Sequence, residues 1–333
     1  MAELFVPGVT VYLSPAKNIT RKTRYTLVAL ERKGKPRFVD SITANKVFAK
    51  LFSVMPDFKK WKIQASEYTY GHSRFDFLLQ SKNSKALVEV KTCTLIENSL
   101  AAFPDAVSTR AVKHIQGLVK AKENGYDVFI VFLISDNAKY FIPDYYTDPD
   151  FHKAFMNAYE KINIFAYSYE IDESLNIPLK VGLVDIPYEK LKSLNLNTGS
   201  YIICYHQENG QKIKIGKNRE YYFEAGYYLY VGSALNSLSA RTSRHKKKVK
   251  NKKWHVDYLH PPMKYIKTYN FNALDIECEI SKKLEEFAEV IHGFGASDCR
   301  CAGHLFYLEE NPDNCDRFID FLFTTRFRSD YFD

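Results

Sequence analysis

The chain has 333 residues, more than a single domain usually holds, so two or more hydrophobic cores are expected. Hydrophobic residues make up 46% and charged ones 26%, the balance of an ordinary globular protein, and no apolar run approaches the roughly twenty residues of a membrane-spanning helix. Against 39 Asp and Glu stand 47 Lys and Arg, a formal charge of +8 that fits a polyanionic partner or simply a basic, soluble surface; the distribution must decide.

Cys93, Cys204, Cys278, Cys299, Cys301 and Cys315 are scattered and no secretory signal begins the chain, which predicts reduced thiols in a soluble, cytoplasmic protein. Val9 to Leu13 and Tyr25 to Leu30 read as short strands. The connection between them carries Lys17, Arg21, Lys22 and Arg24, suited either to phosphate oxygens or to solubility alone. Ser41 to Phe52 places Val47, Phe48, Leu51 and Phe52 at helical spacing behind Ser41 as N-cap, a core-facing helix.

In FDFLLQSKNSKALVEVKTCTL, residues 75 to 95, two strand-like runs flank Ser81 to Ser84. Glu89 and Lys91 are two apart and share one face, and a hairpin would bring Asp76 to the same wall. Two carboxylates can hold a hard cation such as Mg²⁺ (or Mn²⁺), with Lys91 orienting a nucleophile or neutralising a transition state. A bare ExK tripeptide is equally a solvated strand face. The segment that follows adds weight, because Phe103-Pro104-Asp105 leads into a helix with Arg110 and His114 on one side and Ala111, Ile115, Leu118 and Val119 as its apolar stripe. Tyr126 to Ile134 reads as a fully buried strand, 150 to 161 as a helix and 162 to 171 as a strand, giving an α/β sandwich with parallel strands and helical crossovers.

RFDFLL, LVEVKTCTL and FPDAVSTRAVKHIQGL resemble the sugar fermentation stimulation (SfsA) family over about residues 7 to 188. The resemblance implies an OB-like N-terminal part, a PD-(D/E)xK nuclease-like core, nucleic-acid binding and a metal site at Asp76 and Glu89 with Lys91. Glu67 is an additional candidate carboxylate, and Arg74, Asp105, Arg110 and His114 also match the family pattern. The family carries a further stretch near its start that this chain begins too late to contain, so a truncated OB-like part is expected.

From Tyr188 to Thr198 the chain reads as a connector, and Gly199 opens a second domain. Leu238, Arg241, Arg244 and His245 fit one helix. Glu277 stands on the stripe Ile280, Leu284, Phe287, Ile291 of an expected longer helix, and a carboxylate there needs a partner or a cation. With Tyr201, Tyr230, Arg241 and Glu277, the stretches GYYLYVGSALNSLSAR, RHKKK, KWHVDYL, ECEI and GFGASDCRCAGHLFY resemble a GIY-YIG nuclease of the kind appended to DNA-repair enzymes, over about residues 197 to 308. That resemblance implies tyrosines that help deprotonate water, an arginine on the phosphate and a glutamate on one Mg²⁺. Ser200 and Val231 depart from the isoleucines of the family name, and an insert precedes YVG.

Arg244 to Lys253 contains no acid; Arg244, Lys246, Lys247, Lys248, Lys250, Lys252 and Lys253 are expected to lie along a nucleic-acid backbone. His255 and Asp257, two apart, are expected either to form a hydrogen-bonded pair that supports the site together with His245, or to leave His255 as a structural histidine. CxCxxH is looser than the CxxC-type spacing of structural zinc sites, so Cys299, Cys301 and His304, with Cys278 as a fourth candidate, are expected to be reduced core or helix-capping residues and not a zinc site. The tail from Asn311, with Phe318, Ile319, Phe321 and Leu322, reads as a docking helix.

The expected architecture is a truncated OB-like part over 1–58, a nuclease-like α/β domain over 59–188, an α+β GIY-YIG-like domain over 197–310 and a tail helix over 311–333. The expected function is metal-dependent phosphodiester hydrolysis of DNA. The alternatives are a non-catalytic DNA-binding regulator, in line with the SfsA family's association with sugar metabolism, and an RNA-processing nuclease.

Overall fold

The computed structural model describes residues 5, 8–16, 21–39, 41–172, 174–217 and 219–333, the side chains of residues 41 and 42 excepted; Lys17 and the N-cap expected at Ser41 lie outside that description. The chain forms two compact units, Met1–Lys192 together with Phe327–Asp333, and Ser193–Arg326.

In the first unit β1 (Val11–Pro15), β2 (Tyr25–Arg32) and β3 (Lys35–Phe38) form a small antiparallel sheet. Lys33 and Gly34, both at positive φ, supply the two-residue turn that matches strand twist between β2 and β3. After α1 (Ser41–Leu51) come β4 (Lys62–Tyr70), β5 (Ser73–Gln80), β6 (Lys85–Cys93), β7 (Leu95–Glu97), β8 (Leu100–Phe103), α2 (Thr109–Glu123), β9 (Asp127–Ile134), β10 (Tyr140–Pro143), α3 (Pro149–Ala158), β11 (Asn163–Ser168), β12 (Gly182–Val184) and α4 (Tyr188–Ser193). The main sheet has the order β12-β11-β9-β6-β5-β4, with β6, β9 and β11 parallel and the outer pairings antiparallel.

The apolar run of β9 is explained by burial on both faces. Val128, Ile130, Phe132 and Ile134 enter a core with Ile115 and Leu118 of α2 and Phe151 and Phe155 of α3, whereas Phe129, Val131 and Leu133 enter a second core with Val47, Phe48 and Leu51 of α1. The same alternation in β6 sends Leu87 to the α2 side and Ala86, Val88 and Val90 to the α1 side, so Glu89 and Lys91 share the face that α2 covers. Ser108 caps α2 by accepting from the Ala111 amide, and Asp148 caps α3 while also accepting from the Ser108 amide, which ties the two helix starts together. The last residues return to this unit: the Phe327 carbonyl accepts from Asn98, and the Asp333 carboxylate receives Lys139 and the Tyr140 hydroxyl.

The second unit contains β13 (Gly199–Gln207), β14 (Gln211–Ile215), β15 (Arg219–Phe223), β16 (Gly226–Ala234), α5 (Leu238–Lys246), β17 (Lys264–Asn272), α6 (Glu277–Leu284), β18 (Glu289–Val290), β19 (Leu305–Leu308) and α7 (Asp316–Arg326). Its sheet has the order β17-β13-β16-β19-β18 and is antiparallel throughout; the insert before YVG is the separate hairpin β14–β15. Tyr201, Ile203, Tyr205, Tyr228 and Tyr230 fill a core with Leu238 of α5 and Ile213 and Ile215 of β14. On α7, Phe318 packs edge-on to Tyr269 and Phe321 packs against Phe271.

One expected element is shorter than its apolar spacing suggests. α6 ends at Leu284, Phe287 lies in the turn beyond it, and Ile291 follows β18. Val290 is β-branched and pairs with Phe306, so edge pairing of the sheet overrides the helical spacing there.

Phe132, fully buried and stacked on Phe141 at 4.3 Å, anchors the α2–α3 core. Phe132→Ala is expected to cost about 3–5 kcal/mol in the unfolding transition of the first unit, measured by urea denaturation.

Candidate functional site

β5 and β6 are joined at Ser81 to Ser84, where the Ser81 amide donates to the Ser84 carbonyl at 2.9 Å. Their ladder runs from Gln80↔Lys85 to Phe77↔Val88; beyond it, the Val90 amide donates to Asp76 Oδ2 at 2.8 Å. Asn45 of α1 donates to the other Asp76 oxygen at 2.8 Å. Burial, and then the nearby Glu89 charge, push the Asp76 carboxyl above its usual range.

Glu89 is 2% exposed. Its Oε1 receives Lys91 Nζ at 2.5 Å and His114 Nδ1, while its buried Oε2 has no hydrogen-bond partner among the described residues. Burial opposes ionisation of Glu89, but His114 and Lys91 outweigh it and hold the carboxyl below its usual range. His114 lies on the buried stripe of α2, and its Nε2 faces Arg110 Nε at 3.5 Å. An arginine only donates, so Nε2 accepts and Nδ1 carries the proton toward Glu89.

Next to His114 opens a cleft of about 520 Å³ lined by His72, Ser73, Arg74, Thr109, Arg110 and Lys113, rich in cations. Glu67 stands abreast of Asp76, because its neighbours Ser66 and Tyr68 pair with Phe77 and Phe75. Its φ of +53° is a conformation that costs a non-glycine residue about 1–3 kcal/mol and that clusters at functional sites. The Glu67 side chain is 63% exposed and lies 3.6 Å from Arg74. Asp105 accepts from Thr94, just beyond the end of β6, at 3.0 Å. Asn45, His72 and Lys113 escaped the sequence reading, because an amide or a lone base in a helix or a turn carries no local signal.

In the second unit Tyr201 and Tyr230 lie on adjacent strands and one face. The Tyr201 oxygen accepts from Arg241 Nε at 3.3 Å and lies 3.0 Å from His245 Nε2. Burial, followed by the nearby Lys250 charge, pushes His245 down to about 3, so its ring is neutral. Burial likewise raises both tyrosines, and Glu277 adds to this at each of them. Gly232 is required beneath Tyr201: a Cβ there would lie 2.6 Å from the hydroxyl oxygen. Glu277 is the first residue of α6, one-quarter exposed, with Oε1 2.8 Å from His304 Nδ1. Burial opposes its ionisation, but His304 and Ser233 outweigh that and keep the carboxyl low.

The basic segment needs two corrections. Arg244 and Lys250 are not free for a ligand: Arg244 makes bonds of 2.6 and 2.8 Å to both oxygens of the fully buried Asp257, and Lys250, its side chain 4% exposed, donates to the His245 carbonyl. Lys246, Lys247, Lys248, Lys252 and Lys253 are exposed. Nor do His255 and Asp257 pair; Asp257 turns to Arg244 and to the Lys253 and Trp254 amides, while His255 packs against Phe294. These bonds place Trp254 against the Arg241 guanidinium at 3.7 Å and Arg244 at 4.4 Å.

The cysteine expectation is also corrected. Cys278 is exposed and Cys299 and Cys301 are half-buried, so none belongs to the core. With His304 they place their ligating atoms within 4.8 Å of one another, because Cys278 arrives from α6, twenty-one residues before Cys299 in the sequence.

Gly232→Ala is expected to cost about 1–3 kcal/mol through displacement of Tyr201, read by urea denaturation. Burial raises the Asp257 carboxyl, but Arg244 and the two amides outweigh it, so its folded pKa is depressed. The stabilisation is therefore present above the unfolded value of about 4 and is lost as pH falls through the folded value. Asp257→Asn should be less stable than wild type at neutral pH, and the gap should narrow in acid denaturation below about pH 4.

Comparison with known proteins gives three family matches: the SfsA N-terminal OB domain over residues 1–39, the sugar fermentation stimulation protein RE domain over 42–175, and the domain of unknown function DUF123 over 200–326. The sugar fermentation stimulation protein homolog of Methanothermobacter thermautotrophicus is 36% identical over 52% of this chain and 73% of its own length. That of Clostridium tetani is 38% identical over 51% of this chain and 76% of its own length. The structure of Pyrococcus furiosus SfsA in complex with Ca²⁺ matches with a TM-score of 0.52 and 29% identity, covering 56% of this chain and 81% of that one. With the small β-sheet, the α/β core and these relatives in agreement, the chain belongs to the sugar fermentation stimulation protein family.

Proposed function

We propose that the chain is a metal-dependent nuclease acting on DNA, with one candidate centre in each unit. The observation that carries this reading is the partnerless, buried Oε2 of Glu89 beside Asp76, at the edge of a cationic cleft. A hard divalent cation fits there, because both donors are carboxylate oxygens. The relative from Pyrococcus furiosus was solved with Ca²⁺, another oxygen-seeking cation. Asp76 and Glu89 would hold Mg²⁺ or Mn²⁺, which when bound lowers the pKa of a water and offsets charge on phosphate. Arg74, Arg110 and Lys113 line the cleft, and their charges suit a phosphodiester backbone. Lys91 supplies a further positive charge beside Glu89.

For the second unit the proposal is a GIY-YIG-like centre. Arg241, its guanidinium carbon 3.7 Å from the centre of the Trp254 ring, would face the phosphate; Tyr201 and the neutral His245 share a proton position; Glu277 offers a carboxylate at the head of α6. The five exposed lysines between Lys246 and Lys253 would track the backbone, and each such contact contributes about 1 to the slope of log affinity against log salt.

The test is cleavage of labelled single- and double-stranded DNA and RNA with Mg²⁺ or Mn²⁺, comparing wild type with Glu89→Gln, Glu277→Gln and the double variant. Loss of a metal-binding carboxylate is expected to lower cutting at its own centre at least about 100-fold. Preferred cutting of RNA would change the substrate. A wild type that cuts nothing, yet binds DNA more tightly after Glu89→Gln, would mark a binding protein, since a carboxylate without a cation repels phosphate.

A further inference from the structure

Three thiols and an imidazole converge beside α6 from two segments of the second unit. None of the cysteines is bridged, and Cys299 Sγ lies 3.4 Å from His304 Nε2. A tetrahedral zinc with bonds of about 2.3 Å to sulfur and about 2.0 Å to nitrogen has ligand edges of about 3.5–3.8 Å, so the group is at, or within about 1 Å of, closure on one ion. The loop that carries three of the four is folded as a tight knuckle. The Gly293 amide donates to the Ala302 carbonyl at 2.7 Å and the His304 amide to the Phe294 carbonyl at 2.8 Å. Gly303 permits the turn, because a Cβ there would lie 2.5 Å from the Ile291 carbonyl oxygen.

His304 has a second role. It is 2% exposed, with Nε2 toward the thiols and Nδ1 2.8 Å from Glu277 Oε1, in an approach bent away from ideal hydrogen-bond geometry. An imidazole that ligates a metal through one nitrogen keeps its proton on the other and gives it to a carboxylate, which fixes both groups.

We propose that Cys278, Cys299, Cys301 and His304 bind one structural zinc ion, and that through His304 this ion orients the Glu277 carboxylate. The metal assignment stands on the four ligands; only the orientation of Glu277 bears on the nuclease reading. Three soft thiolates with one imidazole select zinc over the hard cations suited to Asp76 and Glu89.

The test is the zinc content of the full chain purified without chelator, with cobalt(II) substitution as a second readout. Wild type is expected to hold about one zinc per chain, and the cobalt form to show thiolate charge-transfer bands with intense tetrahedral visible bands. Cys278→Ser and Cys301→Ser are expected to fall below about 0.1 zinc per chain, whereas Cys204→Ser, altered in the sheet, keeps its metal. His304→Cys should retain zinc on four thiolates, and Glu277→Gln should weaken zinc binding about 10–100-fold. If Cys301→Ser fails to fold, Cys278→Ser, whose side chain is exposed, and the wild-type cobalt spectrum decide. A zinc-free wild type without cobalt–thiolate bands, iron with sulfide in place of zinc, or unchanged zinc in both serine variants would overturn the proposal. These readouts hold whether or not the chain cuts nucleic acid.

Discussion

The first unit is organised around a negative charge taken out of water. Glu89 projects from the central strand pair into the α2 side of the sheet, where an unpaired carboxylate would cost several kcal/mol. The fold meets that cost from two directions, Lys91 two residues along the same strand and His114 from the inward stripe of α2. Both approach one oxygen and leave the other bare. Asp76 repeats the arrangement more weakly, taking its bonds from a backbone amide and from Asn45, with Lys91 acting on it only as a nearby charge. The parallel trio β6, β9 and β11 gives these groups a stiff mount, because β9 is packed on both faces.

In the second unit the corresponding buried anion is Asp257, and its work is architectural. It gathers the Arg244 guanidinium and two successive amides, and so fixes the segment that presents Trp254 to Arg241. Arg241 is thereby stacked on a ring and still bonded to Tyr201. Charge in the basic segment is divided between residues that hold the loop and residues that face water, a division invisible in a run of like-charged letters.

Where the sequence was readable, strict periodicity carried the information. Alternation in β6 put Glu89 and Lys91 on one face, and the i, i+4 spacing put Arg110 and His114 on one side of α2. The seven-residue apolar run from Val128 to Ile134 in β9 has strand length and read as a strand buried on both faces. What could not be read depended on partners distant in sequence. Asn45 reaches Asp76 across thirty-one residues, and nothing local marks it. His255 lies only two residues from Asp257, but in the short 3₁₀ turn that holds both, Arg244 is the partner. Cys278 was a candidate beside CxCxxH, but its convergence with Cys299, Cys301 and His304 depends on the packing of α6 against a distant loop, which spacing within the motif does not encode.

The return of residues 327–333 to the first unit has a consequence for how the chain is made. The ribosome delivers the first 192 residues early, but the pieces that receive Lys139, Tyr140 and Asn98 come only after α7. The second unit, contiguous in sequence, can therefore finish folding during elongation, whereas the first must wait for residues 327–333, which follow the whole of the second unit. Of the two units, the one made first is the later to be complete.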